Sequence, residues 1–167
     1  FDNIGSGKDP EGFWQATSVE LIGIEDLSMT HSGSTAQFGV GFGQAKNSWM
    51  KNVRTVSADR GHILMYGGVT HITVRDSYFF GSKNALNQSY GIETDETSDI
   101  LVENNISQHQ VSFHSLGESA AGHVYSYNFS IDDYYTGAGG TWMQASSYHH
   151  TNGIFYCLFE GNDGIGF

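Results

Sequence analysis

Cysteine, proline and late positive charge are what this sequence has least of. One cysteine, Cys157, stands in 167 residues, so no intrachain disulfide can form and pairing says nothing about the redox compartment. Between Phe155-Tyr156 and Leu158-Phe159 it reads as a small buried hydrophobe rather than a nucleophile. A single proline, Pro10, beside 22 glycines and 14% aromatic residues excludes disordered and collagen-like chains. What remains is a folded, β-rich protein. No run of apolar residues is long enough for a membrane-spanning helix. The start carries neither a signal peptide nor a Met, and Gly164-Ile165-Gly166-Phe167 stops in what reads as the middle of a coil. The expectation is one segment, residues 1–167, of a longer chain.

Positive charge disappears halfway along. The formal net charge is −11, and all seven cations (Lys8, Lys46, Lys51, Arg54, Arg60, Arg75 and Lys83) lie in the first half. Beyond Lys83 stand ten Asp or Glu and no Lys or Arg. Such a surface repels nucleic acid and anionic membrane, so neither is an expected partner. A polyanion would dock there only through a bridging cation. The plain alternative is an acidic surface that keeps a secreted protein soluble.

What is present is a repeat. Alternating apolar residues, then a polar residue that is often Asn or Asp, then a large apolar residue recur six times. Clear copies are Leu21–Leu27, Ile72–Tyr78 and Ile100–Ile106. With Leu27, Val53, Tyr78, Ile106, Phe129 and Phe159 as equivalent anchors, the spacings are 26, 25, 28, 23 and 30 residues. A coil of that length holds three short strands and cannot bury its apolar face until another coil stacks on it. Six coils at about 4.8 Å each make a rod of roughly 29 Å. A companion strand precedes the cassette at His62–Tyr66, Tyr90–Thr94, Val111–Ser115 and Trp142–Ala145. The reading is all-β: a right-handed parallel β-helix of about six coils. A doubly wound sheet fails for want of helical periodicity, and a β-sandwich predicts closer turn signals without the longer period. Asn52, Asn105 and Asn128, with Asp26, form a recurrent slot before the anchor, where left-handed backbone and stacked amides suit Asn.

The stretch Ser98–Ile106, with Gly91-Ile92-Glu93 before it, resembles the pectate-lyase-like superfamily of parallel β-helix proteins. The likeness spans about residues 18 to 164 and rests on coil period and Asn-rich turns. Uncharacterised bacterial β-helix proteins have stretches similar to Tyr127–Tyr135 and Phe159–Gly164. The resemblance implies a secreted or surface protein that handles polysaccharide or is built as a fibre. It also implies site residues on the outer face of one sheet, contributed by several coils.

On that placement His62, Glu93, His114 and Gln144 align along one side. Glu93, near Asp95 and Glu96, is the best catalytic candidate, since paired carboxylates serve as acid and base in glycoside hydrolysis. A solvated turn is the alternative. Asp132 and Asp133, followed by Tyr134 and Tyr135, offer carboxylates beside rings, the combination a sugar site uses. The catalytic candidates are therefore Glu93, Asp132 and Asp133, and the substrate-binding candidates His62, His114, Tyr134, Tyr135 and Gln144. The eight histidines match no zinc spacing, and no metal site is assigned. Lyases of the superfamily commonly use Lys or Arg beside a uronate, often with calcium. The cations for that role reduce to Arg60, Arg75 and Lys83, with carboxylates such as Asp59 and Asp76 as candidate calcium ligands, and the missing later cations depart from the pattern. Gly39–Gly43 lacks the strand-loop-helix context of a nucleotide site, and of the sequons at Asn87, Asn105 and Asn128 the last two coincide with the structural slot. The expected function is a carbohydrate-active protein, a glycoside hydrolase or polysaccharide lyase if an enzyme. The alternative is a fibre, spike or adhesin segment self-associating through its coil ends.

Overall fold

A computed structural model describes residues 16–83, 88–137 and 140–167. Lys8, Pro10 and the sequon at Asn87 lie outside them. All regular structure among the described residues is strand, and nearly all pairing is parallel between successive turns of a β-solenoid. The expected class, an all-β parallel β-helix, is the one formed.

Two sheets carry the winding. The larger has ten strands, joined through the long strand Ala45–Ala58, whose first half pairs with Thr70–Arg75 and second half with Tyr78–Ser82. The smaller stacks Phe38–Gly43, Gly61–Tyr66, Tyr90–Asp95, Ser112–Leu116 and Ser147–His149. Six cassettes recur, but the rows of Gly23–Thr30 and Leu158–Glu160 end the stack. Four rows have a neighbour on both sides, and the solenoid has about four turns, not six coils.

Inward columns make the core. Ile24, Met50, Val74, Val102, Tyr125 and Phe159 stand in one register. The four central members are fully buried. Burying each apolar side chain of this size stabilises by about 1.5–3 kcal/mol. Phe159 therefore belongs beside Tyr125, not with the anchors first aligned to it. Tyr78, Ile106 and Phe129 form a neighbouring register of their own and point outward, because the residue before each takes the inward place.

That residue is the asparagine slot, and it resolves into two columns. Asp26, Asn52, Asp76, Asn104, Tyr127 and Gly161 turn the corner with φ between 51° and 64°. This left-handed backbone suits Asn, Asp and Gly and costs a residue such as Tyr127 roughly 1–2 kcal/mol. The side chains of Asn52 and Asn104 donate outward to Asp26 and Asp76. One position on, Ser77, Asn105, Asn128 and Asn162 point inward and form a ladder. Val53 N–H donates to Ser77 Oγ, Ser77 N–H to Asn105 Oδ1, Asn105 N–H to Asn128 Oδ1, and Asn128 N–H to Asn162 Oδ1, all at 2.9–3.1 Å. Each amide nitrogen also reaches a carbonyl one row away: Asn105 to Val74, Asn128 to Val102 and Asn162 to Tyr125. With Asn105 and Asn128 each 1% exposed, neither sequon presents its amide to solvent.

Removing Asn128 takes the acceptor of the Asn105 N–H, one of the two acceptors of the Asn105 amide and the side-chain donor of the Val102 carbonyl at once. Asn128→Ala should cost roughly 3–5 kcal/mol, against under about 1 kcal/mol for the exposed Asn52→Ala. Denaturant unfolding of both variants checks this, and equal losses would contradict a ladder that holds the corner.

Candidate functional site

The outer face of the smaller sheet carries Leu64, Glu93, Ser115 and Tyr148 in one register. Arg60, at the turn before Gly61–Tyr66, grips Glu93 with both arms: Nε to Oε2 at 3.1 Å and Nη2 to Oε1 at 2.5 Å. Its guanidinium also lies 5.4 Å from the Phe38 ring centre. Asp95, two residues beyond Glu93, emerges on the same face, with Cα atoms about 6.6 Å apart at strand rise. Its carboxylate rests on Gly117, where any side chain would collide with Oδ1. Burial, then the neighbouring Glu93, pushes the Asp95 carboxyl above its ordinary pKa.

Beside this pair lies a cleft of about 330 Å³, lined by Gln88, Tyr90, Val111, Ser112, Tyr135, Trp142, Gln144, Tyr148 and His150. Its outer wall is an antiparallel pair, Tyr134–Tyr135 with Trp142–Met143, that leaves the solenoid between two of its strands. Tyr135 and Trp142 are register partners and stack with ring centres 4.1 Å apart. Trp142 Nε1–H donates to Gln144 Oε1 at 3.1 Å, which fixes the indole beside the amide. Burial, then the charge of Glu93, raises the pKa of the Tyr90 hydroxyl.

The sequence candidates do not share one side. Glu93 lies on the outer face but is covered there, 5% exposed and outside the cleft lining, whereas Tyr135 and Gln144 line the cleft. His62 and His114 point into the solenoid, 1% and 0% exposed. The reason is a corner at the start of each strand. There two consecutive residues turn inward, His62 with Ile63 and Phe113 with His114, so counting by strict alternation slips by one. Ser115, not His114, stands beside Glu93. Asp133 is fully buried, accepting from Ser130 Oγ at 2.7 Å and Ser146 Oγ at 2.5 Å. It braces the interior, out of reach of the cleft. Asp132 and Tyr134 face a smaller pocket on the other flank of the hairpin. The expected strand Trp142–Ala145 is also corrected: Ser147–His149 takes the place in the smaller sheet, and Trp142 is freed for the cleft.

Trp142, Tyr90 and Tyr148 were missed as site residues. Tyr90 and Trp142 do begin expected strands, and an aromatic at that repeated position was the available signal. Among the described residues no group of three or more His, Cys, Asp or Glu is placed to hold a metal. Asp76 instead accepts hydrogen bonds from Asn104 and Arg75, which hold its carboxyl below the ordinary pKa. No described helix is long and apolar enough to cross a membrane. No protein-family model matches the chain, and no curated protein or solved structure matches it either.

The inward histidines make the scaffold sensitive to acid. Burial drives His62 and His123 down to about 4, and His114 well below its ordinary value with neither ring nitrogen hydrogen-bonded among the described residues. Unfolded histidine titrates near 6.5. Below that pH the unfolded chain takes up protons that the folded one refuses, so stability falls as pH drops from about 6.5 towards 4. The slope is about 1.4 kcal/mol per pH unit for each histidine. Asp133, raised by burial, opposes this in part, because the folded state protonates it first. Unfolding measured at pH 7.5 and pH 5 should show lower stability at pH 5, and His114→Leu should shrink the difference by about a third. An unchanged pH dependence in that variant would refute its share.

Proposed function

We propose that this β-solenoid binds a polysaccharide along the outer face of its smaller sheet, and that Glu93 and Asp95 serve hydrolysis of a glycosidic bond there. The observation that carries the reading is the stacked Tyr135–Trp142 pair walling a cleft that also holds Tyr90, Tyr148 and the Gln88 and Gln144 amides. Pyranose rings present C–H faces that pack on aromatic rings, while their hydroxyls need amides and hydroxyls as partners, and this lining supplies both. Concave, mostly apolar sites with a few convergent polar groups are where small ligands bind.

The carboxylates support hydrolysis better than elimination. Asp95 keeps its proton to higher pH than an ordinary aspartate, as a general acid requires, and Glu93 is oriented by Arg60. A lyase needs a cation free to neutralise a uronate, and among the described residues no Lys or Arg lines the cleft. A location outside the cell or on its surface follows from this reading, because polysaccharides of that kind are met there. The likeness to pectate-lyase-like proteins supports it through fold and face alone.

The test is a polysaccharide panel, with binding followed by titration calorimetry and products by reducing ends and by unsaturated-sugar absorbance. Trp142→Ala should weaken binding about tenfold or more, the loss of about 1.4 kcal/mol or more of stacking and burial. Asp95→Asn should retain binding and lose reducing-end release. Unsaturated products, or turnover untouched in Asp95→Asn, would overturn hydrolysis; binding untouched in Trp142→Ala would overturn the cleft.

A further inference from the structure

An apolar stripe stands on the outer face of the larger sheet. Tyr78, Ile106 and Phe129 share one outward register, and Val56, Phe80 and Ile131 flank it two residues further along their strands. Ile106, Phe129 and Ile131 are 47%, 39% and 43% exposed, while Ser107 and Ser130 between them are buried. Apolar side chains scattered singly over a surface are ordinary, but a run of them on one flat sheet face marks an interaction site.

The stripe has a charge of opposite sign at each end. Arg54 stands in the row before Tyr78, where its guanidinium donates to Ser28 Oγ at 3.4 Å and meets no carboxylate among the described residues. Asp132 follows Ile131 at the other end. Two hydrogen bonds in series hold its carboxylate to this face: the Tyr78 hydroxyl donates to Gln108 Oε1 at 3.0 Å, and Gln108 Nε2 donates to Asp132 Oδ2 at 3.3 Å. No cation pairs with Asp132 among the described residues. Three row spacings, about 14 Å, separate the row of Arg54 from that of Ile131.

Such a face complements itself in one arrangement. A two-fold axis perpendicular to the sheet, between the rows of Tyr78 and Ile106, lays the Arg54 row of one copy over the Phe129–Ile131 row of the other. Each Arg54 then meets the second copy's Asp132, twice by symmetry, and the apolar rows meet between them. A two-fold axis along the stack would set Arg54 against Arg54 instead. Five rows by five residues make a patch of roughly 24 Å by 16 Å, about half of the roughly 800 Å² that each partner contributes to a stable complex. Pairing through it is therefore weak and depends on concentration.

We propose that this stripe pairs with the same stripe of a second copy of the chain, antiparallel, with Arg54 and Asp132 bridging the two. The cleft lies on the smaller sheet, so the pairing is independent of the glycan reading.

Sedimentation equilibrium of the whole chain over a wide concentration range tests it, with melting followed for every variant. Wild type should pass from monomer to dimer and no further. Ile106→Asp, which sets two like charges near the axis, should weaken the dimer about tenfold or more. Asp132→Asn keeps a residue suited to the left-handed backbone there, φ 60°, and should weaken the wild-type dimer about threefold. In the Arg54→Glu chain, where carboxylate faces carboxylate, the same Asp132→Asn change should instead strengthen pairing about threefold. A monomer at every concentration would overturn the pairing and leave the stripe to a different partner. Growth beyond the dimer would overturn the two-fold closure. A dimer indifferent to Ile106→Asp would put the contact elsewhere, and an Asp132→Asn effect of one sign in both chains would overturn the bridge. Should Ile106→Asp fail to fold, the Arg54 and Asp132 variants, which change only exposed side chains, decide the matter.

Discussion

The hydrogen bonds that run along the stack at the buried corner carry a task the flat faces do not share. Strands stacked at about 4.8 Å satisfy their backbone groups wherever they lie flat, but a turn breaks that pairing and points N–H groups where the next strand no longer faces them. Ser77, Asn105, Asn128 and Asn162 mend the break by offering a side-chain oxygen to the corner N–H of the row before. The left-handed residue just before each makes the bend itself. The same corner thus sets both the direction of the chain and the register in which Met50, Val74, Val102 and Tyr125 meet.

Once rows are held in register, side chains separated by more than twenty residues in sequence become neighbours, and the two faces of each sheet acquire different work. Inside, the columns change character along the stack. Met29, Thr55 and Phe79 lead to Ser107 and Ser130, and Val40, Ile63 and Ile92 lead to His114 and Ser147. Asp133 lies beside that polar end, bridging Ser130 and Ser146. Outside, the register brings Arg60 to Glu93 across 33 residues. The winding makes a platform, and the hairpin that leaves it between Phe129–Ile131 and Ser147–His149 supplies the wall of the cleft.

Much of this was legible in the residues. The apolar cassette exposed the stacking unit, because a face of two or three apolar residues can be buried only by its own repeat. The Asn slot marked the corner, though its two adjacent columns were read as one, since Asn52 and Asn105 satisfy the same compositional pattern with opposite orientation. Glu93, Tyr135 and Gln144 were found as candidates. His62 and His114 were drawn in by counting alternation across a corner where alternation fails. Trp142-Met143-Gln144-Ala145 has strand-like composition, and composition does not say whether a strand pairs within the winding or, as Trp142 does, in a hairpin outside it.

The sequence by itself determined the class of fold, the acidic second half and the residues able to turn a corner, because each depends on local chemistry or on a period that a single chain displays. Only the tertiary structure decided which way each of those residues faces, which rows are sandwiched, and that Trp142 meets Tyr135 over a cleft. Orientation in a solenoid is set by register between rows, and one corner that turns two consecutive side chains inward moves every later residue to the other face.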